Sequence, residues 1–126
     1  MKDKKQRTML LNKPMIRLEL PLPPTDNHLF GQSGRIRFMY KDGKDWKEQV
    51  QLYTNSIYKK QPTEKKLASY IELYTKRDRD LHGSLKLMYD SFQGIIYKND
   101  SQFVEEHLFK MVDKENPRII FEITEL

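Results

Sequence analysis

Hydrophobic and polar positions alternate along several short stretches of the chain. Ile16, Leu18 and Leu20 are separated by Arg17 and Glu19, the period of two that predicts a strand with one buried face. Pro21, Pro23 and Pro24 follow, and proline has no N–H to donate to a sheet, so the strand is expected to end there. Ile36, Phe38 and Tyr40 alternate with Arg35, Arg37 and Met39 and predict a second strand. Between the two, Thr25 to His28 and Gly31 to Gly34 have the composition of loops.

Asp42-Gly43 reads as a turn, after which the period changes. Trp46, Val50, Tyr53 and Ile57 fall at helical spacing, and Pro62 is the expected stop. Lys66 to Tyr74 predicts a third strand. Leu81, Leu85, Met88 and Phe92 return to helical spacing, with Asp80 as a competent N-terminal cap and Gly94 as the C-terminal stop. Phe103 to Val112 and Arg118 to Thr124 predict two last strands, joined as a hairpin across Asp113 to Pro117. The order β-β-α-β-α-β-β predicts an α+β domain, a mixed β-sheet with two helices packed on it.

Composition narrows this picture. A chain of 126 residues suits one domain with one core. Charged residues make up 33% and mean hydropathy is -0.82, so the surface must be densely charged. Seven Tyr, six Phe and one Trp still supply enough large apolar area to close a core. The net charge of +5 favours an anionic partner. The absence of cysteine excludes a disulfide framework and any cysteine-zinc site, and it suits a reducing compartment. No apolar run is long enough to span a bilayer, so no membrane partner is expected. Residues 1–13 carry Lys2, Lys4, Lys5, Arg7 and Lys13 against Asp3 alone. They are expected to form a flexible basic arm, with residues 14–126 as the folded domain.

Acidic residues stand out near the second helix of this basic chain. Asp78 and Asp80 flank its start, Asp90 lies within it, and Asp100 follows in Tyr97-Lys-Asn-Asp-Ser101. His82, Lys86 and Asp90 are spaced four apart and share one helical face. Phosphodiester hydrolysis at neutral pH uses a divalent ion held by oxygen ligands, with a cation to stabilise the developing charge. The same residues also have ordinary readings. Asp80 can cap the helix, Lys86 and Asp90 can form a surface pair, and Asn99-Asp100 can be turn residues.

A longer comparison separates these readings. Arg79-Asp-Leu-His-Gly-Ser-Leu-Lys86, continuing through Asp90 and Gly94 to Tyr97-Lys-Asn-Asp100-Ser-Gln-Phe103, resembles the signature of RusA-family Holliday-junction resolvases. That signature runs Asp-Leu-Asp-Asn-Leu-x-Lys, then a helix Asp, a Gly, and a tyrosine-containing run into Asp-Asp-Ser-Gln. Leu20-Pro-Leu-Pro-Pro-Thr-Asp-Asn27 is similar to the family's opening strand and Pro-Pro loop, and Arg118 to Glu125 to its closing strand.

The resemblance implies a homodimeric, Mg²⁺-dependent endonuclease that cuts four-way junctions or related branched DNA by paired phosphodiester hydrolysis, working in the cytoplasm on the nucleoid. It implies metal ligation by Asp80 and Asp100, catalysis by Lys86, and supporting roles for Asp90 and Asn99. Asn27, Arg35, Arg37, Arg79 and Lys86 are the expected DNA contacts. Three departures accompany the match. His82 stands where the family carries its second Asp, Gly83 replaces Asn, and Asn99 replaces the first Asp of Asp-Asp. An imidazole at His82 still completes a ligand set, and suits Mn²⁺ better than Mg²⁺. The competing expectation is a branched-DNA-binding protein of the same fold whose nuclease site has weakened. An RNA-binding or phospholipid-binding module is a third, without an evident aromatic stacking strip to support it.

Overall fold

The computed structural model describes residues 13–24, 30–33, 36–39, 41–77 and 82–126, of which 30–33, 36–39 and 82–84 are described by their backbone only. The expected arm, apart from Lys13, lies outside the described residues, as do Asn27, Arg35 and the segment Asp78 to Leu81. Among the described residues, six strands and two helices follow in the order β1 (Ile16–Leu20), β2 (Phe30–Ser33), β3 (Ile36–Met39), α1 (Lys41–Ile57), β4 (Leu67–Thr75), α2 (His82–Ser91), β5 (Phe103–Val112) and β6 (Arg118–Glu125). The fold is α+β, as expected. No helix among the described residues is long and apolar enough to cross a membrane.

The main sheet has the order β1-β6-β4-β5, with β4 parallel to β5 and the other pairings antiparallel. This corrects the expected hairpin. β5 and β6 do not pair with each other, because β4 lies between them. The physical reason is burial. β4 and β6 are buried along most of their length on both faces, and such strands need a hydrogen-bonded neighbour on each side. β5 alternates strictly between half-buried and exposed, as an edge strand does. The connection from β5 to β6 therefore passes across the end of β4, where the Asp113 N–H donates to the Thr75 carbonyl at 2.8 Å.

Two further expectations need correction at the N-terminal side. Gly31 to Ser33 is strand rather than loop, because β2 pairs antiparallel with β3 in a separate two-stranded sheet. Asp42-Gly43 is not a turn but part of the first turn of α1, where Asp42 interacts favourably with the helix dipole. The buried stripe of α1 is Gly43, Trp46, Val50 and Thr54, whereas Tyr53 and Ile57 are exposed. Thr54 satisfies its hydroxyl by donating to the Val50 carbonyl at 2.8 Å.

Both helices contribute to one apolar cluster. Trp46 and Val50 of α1, and Leu87, Met88 and Phe92 at and beyond α2, join Leu18, Ile71, Leu73, Ile119, Phe121 and Ile123 of the sheet. Two bonds fix the helices in place. Trp46 Nε1 donates to the Pro21 carbonyl at 3.0 Å, and Gln51 Nε2 donates to the Ser91 carbonyl at 2.9 Å. On the other face of the sheet Ala68 and Tyr70 pack with Phe109.

Candidate active site

The segment from α2 through β5 carries the candidate chemistry, and its shape follows from how α2 ends. Gly94 has φ +83°, a conformation that costs a side-chain-bearing residue energy, and it stops the helix as expected. The chain then doubles back, with the Gly94 N–H donating to the Tyr97 carbonyl at 2.7 Å. Tyr97 is fully buried and donates its hydroxyl to the Tyr89 carbonyl at 2.7 Å. Its ring meets Phe103 edge-on, with centroids 4.9 Å apart. This aromatic plug anchors the loop on which Asp100 sits.

Asp100 begins a short 3-10 turn, Asp100–Gln102, whose cap is Asn99. Asn99 Oδ1 accepts from the Ser101 N–H at 2.8 Å. Gln102 Oε1 accepts from the N–H groups of Lys98 and Asn99, both at 2.9 Å. Gln102 Nε2 donates to the carbonyls of Thr63 and Lys65 at 2.9 and 2.8 Å. One glutamine thus ties the turn to the strand-entry loop before β4. Gln93 adds a second tie, its Oε1 accepting from the Asp100 N–H at 2.9 Å. The Asn-Asp-Ser-Gln run is therefore a device that aims the Asp100 side chain, with Asn99 acting on the backbone beside it.

Three of the expected residues come together. Lys86 Nζ lies 3.5 Å from Asp90 Oδ1 and 3.8 Å from Asp100 Oδ2, so α2 and the following turn converge on one ammonium. Asp90 is also reached by Gln93 Nε2 at 3.4 Å. Lys86 is 70% exposed, so these pairings contribute little to stability and leave its charge free to meet a ligand. A cavity of about 380 Å³ opens beside it, lined by Lys86, Tyr89, Asp100 and Glu106 at its polar side and by Ile71 and Leu108 beneath. Tyr89 is held in its acid form, its pKa raised first by burial and then by the neighbouring Glu106 and Asp100 carboxylates.

Asp80 and Arg79 lie outside the described residues, as do Asn27 and Arg35, and the side chains of His82 and Arg37 likewise. Among the described residues, no three His, Cys, Asp or Glu side chains are grouped closely enough to hold a metal ion by themselves. Asp100 and Glu106 on one cavity wall nevertheless have the chemistry a hard divalent ion takes, since such ions need only one or two carboxylates when water and phosphate complete the shell. Glu106 was not singled out in the sequence, because a glutamate within an alternating strand reads as a solvated outer position.

The family model for endodeoxyribonuclease RusA matches residues 21–124 of the chain. The protein belongs to the RusA endodeoxyribonuclease family. It is thereby placed among phosphodiester hydrolases that resolve Holliday junctions. No curated protein matches the chain significantly. The matched span covers α2, the Asp100 turn and β5, so the converging side chains of Lys86, Asp90 and Asp100 lie within the family domain.

Proposed function

We propose that the protein is a metal-dependent, structure-selective endonuclease that cuts branched DNA in pairs of incisions as a homodimer, within the cytoplasmic nucleoid. The observation that carries this reading is the convergence of Lys86 on Asp90 and Asp100, held by a turn whose hydrogen bonds serve to aim one carboxylate.

In this reading Asp80 and Asp100, with His82, hold a divalent ion, and the imidazole favours Mn²⁺ over Mg²⁺. The ion, when bound, neutralises phosphate charge and makes water a competent nucleophile. The protein's own groups do the rest. Asp100 and Asp90 hold the Lys86 ammonium at the mouth of the cavity, where it stabilises the extra negative charge of the pentavalent phosphorus. Asp90 keeps Lys86 oriented from one helical turn away. Exposed Lys65, Lys66 and Lys98 beside the Gln102 tie, together with Arg35, Arg37, Arg79 and Asn27, hold the DNA backbone, so affinity falls steeply with salt. Two-fold symmetry of a dimer matches a four-way junction with two opposed scissile strands.

The test is cleavage of a labelled synthetic four-way junction in Mg²⁺ or Mn²⁺, beside linear duplex and RNA of the same length. Paired cuts in the junction that disappear in Asp80→Asn and in Asp100→Asn support the reading, and cutting that survives both substitutions contradicts it. The histidine at position 82 favours one rival, a junction-binding protein that no longer cuts. That rival predicts tight junction binding with no incision in either metal, and incision restored by His82→Asp.

A further inference from the structure

Glu106 lies on β5, and the way it reaches the cavity is unusual. Phe103, at the start of β5, packs into the aromatic cluster under α2. Regular alternation from Phe103 would put Glu105 and His107 on that same face and turn Glu106 away. The register against β4 shifts at this point, however. Phe103 pairs with Leu67 and Glu105 with Ala68, so Val104 is an extra residue in β5. From there Glu106 pairs with Ser69 and Leu108 with Ile71, on the helix-bearing face, and Phe109 packs on the opposite one. A bulge of this kind re-aims every side chain after it.

The re-aimed carboxylate has a fixed neighbour. The Tyr89 phenol lines the same cavity as Glu106, and the Ser69 hydroxyl lies 2.9 Å from the phenol oxygen. Ser69, buried on the neighbouring strand, thus fixes the Tyr89 phenol of α2 beside Glu106, at the polar side of the cavity that also carries Asp100 and Lys86.

We infer that Glu106 is a further metal-binding carboxylate of this nuclease site, supplied from β5 and supplying the oxygen donor that His82 withdraws from the signature on α2. Tyr89 is its positioning residue. The inference rests on the metal-dependent reading above and extends it to a residue outside the family signature.

The test is isothermal titration of the full chain with MnCl₂, which reads binding without turnover. Glu106→Gln is isosteric at an exposed position and should melt with the wild type. It is expected to weaken Mn²⁺ binding by about tenfold or more, and Tyr89→Phe to weaken it by a smaller factor. His82→Asp added to Glu106→Gln should restore most of the loss. Wild-type affinity in Glu106→Gln, with binding lost in Asp100→Asn, overturns this inference while leaving the nuclease reading in place. Absence of Mn²⁺ binding in the wild type overturns both.

Discussion

Gln102 offers a sharp test of how the turn at Asp100 is built. Its side chain makes four hydrogen bonds, two accepted from the Lys98 and Asn99 N–H groups and two donated to the Thr63 and Lys65 carbonyls. Three of the four are exposed, so each contributes toward the low end of the usual range, and Gln102→Ala should cost about 2 kcal/mol in all. For a domain of this size that loss corresponds to a fall in Tm of about 6–10 °C. Activity should suffer more than stability. Without the tie, the turn relaxes and Asp100 shifts relative to Lys86, and a misplacement of ~1 Å can lower a rate by ~10²-fold. Gln102→Glu keeps the acceptor but sets a carboxylate against two carbonyl oxygens, so it should be at least as damaging. Thermal unfolding followed by circular dichroism, with junction cleavage measured well below Tm, reads both effects. A Gln102→Ala protein that melts within about 1 °C of wild type and cleaves at the wild-type rate would show that the turn does not depend on this side chain.

Two further outcomes are expected. Lys86→Met should leave Tm unchanged, because the ammonium is 70% exposed, while cleavage falls by about 10²–10³-fold; equal losses of stability and activity would point to a structural lysine. Tyr89 and Tyr97 have pKa values raised above 10.0, burial being the first cause for both, so the folded state retains protons that the unfolded state releases. Their contribution to stability is present in full below the unfolded value of 10.0 and is lost as pH rises above it. Urea midpoints should therefore fall above about pH 10, and less so in Tyr89→Phe; a midpoint that rises with alkali contradicts the assignment.

How far the fold was legible depends on what each pattern can encode. The alternation of Ile16, Leu18 and Leu20 and the i, i+3, i+4 spacing around Met88 report which face of an element is buried, and those elements were found. Alternation carries no information about which strand is the neighbour. The insertion of β4 between β5 and β6 was therefore missed, although Leu67 to Leu73, apolar but for Ser69 and Glu72, departs from strict alternation as a strand buried on both faces does. The inward stripe of α1 was misread because Gly43 and Thr54 are not apolar by type, yet they face the core. At the site, Lys86, Asp90 and Asp100 were legible through their spacing and the family resemblance. Glu106 was not, because its direction depends on a bulge that appears only when β5 is set against β4.

The most direct measurement is anomalous diffraction from a crystal soaked in Mn²⁺. A single-site or paired peak is expected, with a carboxylate oxygen of Asp100 within about 2.0–2.6 Å and Asp80 completing the shell. A peak bound elsewhere, or well-ordered Asp80 and Asp100 carboxyl groups too far apart to share an ion, would contradict this expectation.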